Sequence, residues 1–240
     1  MQKTSIHYKH CLDTLKKSKL FSNVDEITLE NMLEICQYET INKGATAVSQ
    51  YRAVDTFYII VSGRAKVSAY NQENGREYIV FLLDSGDCFD LAGLLSGKHN
   101  DAFATSLENM EVLSTSIAQA RTWIEQHPEF NKTLFPYLGK QIHELVDKNT
   151  DLALYDTEIR LSRLILRSIT ANKLTANKLT TDIQLLNDLS QETLAAMVGS
   201  VRVVITRHLQ RWKKEKIVSG KRGNWSLIDL KKLLDRSKNN

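Results

Sequence analysis

Nowhere in this chain do apolar residues continue for the roughly 18 positions that a membrane-spanning helix requires. The opening residues, MQKTSIH, lack the apolar core of a secretory signal. A cytoplasmic protein without membrane contact is the expectation. Cysteine is scarce as well: Cys11, Cys36 and Cys88 form neither a CxxC pair nor an even set, which removes the basis for a structural zinc site or a disulfide framework. The same isolation argues against an iron–sulfur centre, which needs clustered thiolates. Between Thr40 and Ser116 the only histidine is His99, too few imidazoles for an enzyme holding a metal inside a β-barrel. No nucleophile and base stand in a catalytic pattern, and no enzyme activity is expected.

What is present suits a globular protein of two modest domains: 240 residues, 42% of them apolar and 25% charged. The net charge of +4 is unevenly placed. From Leu189 onward there are twelve Lys and Arg against four Asp and Glu, while the preceding 188 residues carry twenty against twenty-four. A basic region on a mildly acidic body is the footprint of a module that displaces counterions from phosphates, although a solvated basic tail has the same charge.

Along the chain, residues 7–36 carry apolar positions at helical spacing: Leu12, Leu15, Leu20 and Phe21, then Ile27, Leu29, Met32, Leu33 and Ile35. Residues 38–116 change to short β segments cut by glycines. Ala65, Val67 and Ala69 alternate with Lys66, Ser68 and Tyr70, and Asn74-Gly75 before EYIVFLL at 77–83 is a hairpin signal, because both residues tolerate positive φ. An α+β fold with an N-terminal antiparallel β-roll (a jelly roll) follows. Past Ala118 the pattern is helical again. Pro128 suits the first turn of a long helix, whose stripe of Leu134, Leu138, Ile142, Leu145 and Leu152 reads as unbroken. Core packing would explain that stripe, but its polar flanks (Lys140, Glu144, Asp147, Lys148) leave a narrow seam, as between two subunits of a homodimer. At 154–158, LYDTE is a break, with Asp156 or Thr157 available to cap the next helix. The expected division is therefore 1–127, a sensor domain with its N-terminal helices; 128–155, a dimerisation helix; and 156–240, a DNA-binding domain. TANKL occurs at 170–174 and again at 175–179, an inserted loop or a helix extension to which no function is given.

The DNA-binding unit is read from residues 190–228. Ser190 is a natural N-cap for QETLAAMV, Gly199 permits a tight turn, and a second helix runs from about Val201 to Glu215. Helical spacing sends Val204, Ile205, Leu209 and Trp212 inward and leaves Arg202, Val203, Thr206, Arg207 and Arg211 outward. Arg can bond guanine O6 and N7 bidentately, and Val and Thr methyls pack on a thymine methyl. IVSGKRGNWSLI at 217–228 reads as two strands around a basic turn, a wing.

Taken together, these residues resemble the cyclic-AMP receptor protein / fumarate-nitrate reduction regulator (CRP/FNR) superfamily over essentially the whole chain. The resemblance is carried by FYIIVSGRAKV at 57–67, NGRE at 74–77, SGDCF at 85–89, LALYD at 152–156 and LSQETLAAMVGSVRVVITR at 189–207. It implies a homodimeric transcription regulator in which a signal at the β-roll reorients paired winged helix-turn-helices on double-stranded DNA, with RNA polymerase as a further partner. Arg202 and Arg207 match the family's base-reading arginines. Ser190, Gln191, Ser200, Thr206, Arg211, Lys221 and Arg222 complete the expected DNA contacts. Val203 replaces the glutamate that often follows the first arginine, so RVVITR looks like the global nitrogen-control branch, and a half-site nearer GTA than GTGA is expected. Val201 stands where a small polar residue is common, so one phosphate contact passes to Ser200.

The sensor departs further from the pattern. Members that bind cyclic nucleotides carry Gly-Glu-Leu-Ala and then Arg-Ser; this chain has Phe89, Asp90, Leu91 and Ala92, and later Asn100 and Asp101. A phosphate would face a carboxylate without a fixed cation, so cyclic AMP is not the expected effector. The effector pocket is placed at Phe89, Asp90, Leu91, Asn100 and Asp101. Three alternatives stay open: haem held by His7, His10 or Cys11, a thiol switch at Cys88, and a dimeric β-roll interaction module without DNA readout.

Overall fold

A computed structural model of the chain describes residues 1–46, 55–98, 102–175, 184–185, 189–221 and 224–238. It divides into two compact units, one of residues 1–70 and 80–144, the other of residues 71–79 and 145–240. The three-part division expected from sequence becomes two parts, because the long helix is shared between the units and the 71–79 hairpin groups with the second.

The first unit opens with helices α1 (Tyr8–Lys17) and α2 (Glu26–Ile35). Asp25 starts α2 by accepting the Thr28 N–H at 3.0 Å. Then come strands β1 (Gln37–Ile41), β2 (Thr56–Ser62), β3 (Ala65–Tyr70), β4 (Glu77–Leu83) and β5 (Cys88–Phe89). Helix α3 (Leu91–Ser96), strands β6 (Phe103–Ser106) and β7 (Met110–Ser116), and helix α4 (Ile117–Gln126) follow. The strands form two sheets, ordered β1-β7-β2-β5 and β4-β3-β6. β2 reads as continuously apolar because both its faces are buried: Phe57, Ile59 and Val61 join the core formed with α1, α2 and α4, while Tyr58 and Ile60 join the core containing Ala65, Val67, Leu83 and Phe89. Gly63 makes the β2–β3 turn at φ +86°, where an added Cβ would lie 2.7 Å from the Asn109 carbonyl.

Pro128 begins a 3-10 turn, Pro128–Phe130, and the long helix proper, α5, spans Asn131–Leu154. Two corrections arise here. The stripe is not free of proline, since Pro136 lies inside α5 and removes one backbone hydrogen bond near its start. Leu134, expected on the seam, is 2% exposed and belongs to the first unit's core, with Leu138 half-buried beside it. The leucines spaced by four drift around the helix, so the first of them faces inward.

The second unit contains α6 (Thr157–Thr175), β8 (Gln184–Leu185), α7 (Gln191–Met197), α8 (Arg202–Lys214), β9 (Val218–Lys221), β10 (Asn224–Leu227) and α9 (Leu230–Arg236). The wing sheet is ordered β8-β10-β9, with β8 unforeseen in the sequence. Asp156 caps α6 by accepting the Ile159 N–H at 3.0 Å. The first TANKL copy continues the backbone of α6 to Thr175, and most of the second lies outside the described residues.

Within this unit Asp151, near the end of α5, is buried and accepts from Arg163 at 2.7 Å and Arg167 at 2.6 Å, both on α6. Arg163 also lies 3.8 Å over the Tyr155 ring. Removing the shared carboxylate strands two part-exposed guanidiniums. Asp151→Ala is therefore expected to cost about 2–4 kcal/mol, below the full penalty of a wholly buried pair because water reaches both arginines. Chemical denaturation reads this directly, and a loss under about 0.5 kcal/mol would show the triad to be ornamental.

Candidate functional site

Ser190 caps α7 by accepting the Thr193 N–H at 3.0 Å, and Gly199 turns the chain at φ +62°, a backbone that L side chains rarely adopt. An added Cβ there would also lie 2.6 Å from Leu152 Cδ2. α8 then buries Ile205, Leu209 and Trp212, with Val204 half-buried, and packs against α6 and α7. Its opposite face carries Arg202, Val203 and Arg207, all exposed, Val203 by 77%. No acidic side chain lies on α8.

The remaining arginines of this unit are engaged. Arg160 donates to Thr157 Oγ1 at 3.2 Å, and Arg236 to Glu215 at 2.9 Å. Arg211, expected on phosphate, instead pairs with Glu158 and contacts His208 at 3.1 Å. That is a correction: a carboxylate from α6 lies within reach of the last turns of α8 and takes this cation. Thr206 is likewise turned inward, its hydroxyl lying 2.5 Å from Gln191 Oε1 and 2.8 Å from the Arg202 carbonyl. Gln191 and Thr206 thus tie α7 to α8 and are not free to reach a base. Ser200 Oγ lies 3.3 Å from Thr157 Oγ1. Lys221 ends β9, and Arg222 lies outside the described residues. Among those described in the second unit, only the guanidiniums of Arg202 and Arg207 meet no partner.

Glu158 also accepts the Trp212 indole N–H at 2.9 Å and lies 3.5 Å from Arg236. Burial raises this carboxyl's pKa, but the bonds from Trp212 and Arg211 and the charges of Arg211 and Arg236 outweigh it and hold the group below its ordinary value. A depressed carboxylate stabilises above its unfolded pKa, and that contribution disappears as pH falls through the lower folded value. The melting temperature should therefore drop between about pH 5 and about pH 3, and Glu158→Gln should shrink that drop. Equal pH slopes for the two proteins would count against the hub.

In the first unit, Phe89, Asp90 and Leu91 line a cavity of about 360 Å³ together with Val67, Leu83 and Gln141 of α5. Asp90 caps α3 from a left-handed backbone (φ 53°), its Oδ1 accepting the Gly93 N–H at 3.1 Å. Asn100 and Asp101 lie outside the described residues. Sequence reasoning missed Gln141, which occupies a polar flank of the α5 stripe.

Residues 38–127 match the cyclic nucleotide-binding domain model, and residues 159–236 match the Crp-like helix-turn-helix domain. The chain belongs to the CRP/FNR family of transcription regulators. It is 22% identical over 200 residues to a CRP-like cAMP-activated global transcriptional regulator of Mycobacterium tuberculosis, covering 82% of this chain and 86% of that one. It is 28% identical over 184 residues to the global nitrogen regulator of a Nostoc species, covering 75% and 80%. Among solved structures, a CooA variant from Carboxydothermus hydrogenoformans superposes with a TM-score of 0.70 at 25% identity, over 87% of this chain and 90% of that one.

The thiols of this CRP/FNR chain are poorly suited to switching. Cys11, Cys36 and Cys88 are all buried, and burial pushes Cys11 up to about 11, Cys36 to about 12 and Cys88 well above its ordinary value. A buried protonated thiol is a poor nucleophile and a poor metal ligand. His7 stacks on Tyr38 at 3.9 Å and His10 lies 3.4 Å from Glu111. Among the described residues no group of three or more His, Cys, Asp and Glu side chains could hold a metal, and no helix is long and apolar enough to cross a membrane.

On α5 the exposed large apolar residues are Leu154 (68%), Phe135 (64%), Ile142 (60%), Val146 (56%), Leu145 (38%) and Leu152 (36%). Phe135, Gly139, Ile142 and Val146 fall at alternating steps of four and three, the spacing of a seam between helices. Phe135 and Val146 lie outside the leucine stripe that sets the pattern in the sequence.

Proposed function

We propose that this regulator acts in the cytoplasm as a homodimer, reading an inverted repeat with GTA-like half-sites through Arg202, Val203 and Arg207, with RNA polymerase as its further partner. One observation carries the reading: among the arginines described in the second unit, those two alone are unengaged, on one face of α8 with an exposed valine between them. Free guanidiniums can fork onto guanine O6 and N7, and the valine offers a methyl contact for thymine. The likeness to the global nitrogen regulators supports the same assignment.

The exposed side chains Phe135, Ile142 and Val146 supply the dimer seam, and two-fold symmetry places the half-sites about one helical turn apart. The β-roll receives the controlling signal, which is not a cyclic nucleotide: no Lys or Arg is among the described residues lining its cavity, and Asp90 already occupies the start of α3.

Selection of the full chain on random duplex DNA at fixed salt tests this reading. Enrichment of a two-fold repeat with GTA half-sites is the expected outcome. Retention without any consensus would mean that the protein binds phosphates alone.

A further inference from the structure

Beyond Arg207, α8 continues for about two turns to Lys214, and its polar side chains there divide into two sets. His208 Nδ1 meets Arg211 Nη2 at 3.1 Å, Arg211 pairs with Glu158, and Lys213 Nζ donates to the Gly220 carbonyl at 3.0 Å. These three are engaged within their own unit. Gln210 and Lys214 are exposed and meet no partner among the described residues.

The free pair is not scattered. Val203, Arg207, Gln210 and Lys214 stand at steps of four, three and four, which keeps them within an arc of about 60° on the helix surface. All four are exposed, Val203 by 77%. They form one row on the face that carries the base-reading residues. At 1.5 Å per residue the row is about 16 Å long, more than the roughly 12 Å width of the B-DNA major groove. One end can therefore lie on base edges while the other meets the phosphate wall. Gln210 sits about 4.5 Å beyond Arg207 along the axis, little more than one base-pair step of about 3.4 Å.

Chemistry separates the two roles. A carboxamide carries no charge and gains little from the phosphate field, but its carbonyl and NH2 groups match adenine N6 and N7 as a pair. A Lys ammonium is a point charge suited to phosphate, which carries no sequence information. We propose that Gln210 reads an adenine in the base pair next to the GTA half-site, on the side nearer Arg207, with Lys214 on the backbone beyond it. This rests on the reading of α8 as the recognition helix and extends each half-site by one base pair.

The test repeats selection of the full chain on random duplex DNA at one fixed salt concentration, for the unsubstituted protein, Gln210→Ala, Gln210→Lys and Lys214→Ala. Both positions are exposed, so the variants should melt as the unsubstituted protein does. That protein should select one adenine beside each GTA. Changing this base pair in one half-site should weaken binding by about 5- to 150-fold in fluorescence anisotropy. Gln210→Ala should keep the GTA preference and accept all four bases at the flanking position. Gln210→Lys should select guanine there, since an ammonium bonds guanine O6 and N7. Lys214→Ala should weaken every duplex alike and flatten the salt dependence by about two counterions per dimer.

A selected GTA repeat with no preference at the flank, or an adenine preference that survives Gln210→Ala, would overturn the assignment of Gln210 and leave the GTA reading standing. Equal weakening of all duplexes by Gln210→Ala would move that side chain to phosphate and overturn the base contact. A sequence-dependent loss on Lys214→Ala would overturn its backbone role. Retention without any repeat, by the unsubstituted protein, would remove the reading of α8 itself and this extension with it.

Discussion

Arg202→Ala should lower affinity for the selected inverted repeat by roughly 30-fold to 10⁴-fold and leave binding to unrelated DNA nearly unchanged. The range follows from about 1–3 kcal/mol for each bidentate guanine contact, counted once per half-site in a two-fold complex. Arg207→Ala should behave similarly. Arg211→Ala should not, because that guanidinium pairs with Glu158 inside its own unit; its loss should appear in unfolding before it appears in specificity. The comparison separates base readout from charge, since all three variants remove one positive charge and only two should change the selected sequence. Val203→Glu restores an acceptor suited to cytosine N4, and should shift selection from GTA toward GTGA half-sites. Fluorescence anisotropy at one fixed salt concentration, on specific and scrambled duplexes, reads every arm. A uniform weakening of both duplexes by Arg202→Ala would assign that residue to phosphate.

Much of this architecture is legible from local chemistry. Ser190, Gly199 and the inward trio Ile205, Leu209 and Trp212 locate the helix-turn-helix, because a cap, a positive-φ turn and a helical stripe are each decided by residues close in sequence. Asn74-Gly75 locates the hairpin for the same reason, with Gly75 at φ +67°. The misreadings involve partners distant in sequence. Arg211 looks outward on a helical wheel, but Glu158, 53 positions earlier, meets it. Thr206 looks available until Gln191 is placed beside it. β8 is two residues long and exists only because β10 pairs with it, too short for periodicity to register. The β-roll cavity is half legible: a departure from a motif at Phe89, Asp90 and Leu91 points to it, yet Gln141, which also lines it, lies 50 or more residues on and reads as an ordinary helix-surface residue.

The long helix offers the second large effect, and it turns on which residues form the seam. Ile142 is 60% exposed and Leu134 only 2%, so substitutions at the two sites should fail in different ways. Ile142→Glu puts a charge where an apolar neighbour would be desolvated, and two such charges would face each other across a two-fold axis. The variant should sediment as a folded monomer with an unchanged melting profile. Its affinity for the inverted repeat should fall by about 10²- to 10⁴-fold, because the second half-site is no longer bound as part of one molecule. Leu134→Ala should instead leave the dimer intact and cost about 2–5 kcal/mol of stability, the penalty for a cavity in a packed core. Analytical ultracentrifugation with denaturant unfolding distinguishes them. A dimeric Ile142→Glu protein together with a monomeric but stable Leu134→Ala protein would return the seam to the leucine stripe and require the first unit's core to be redrawn.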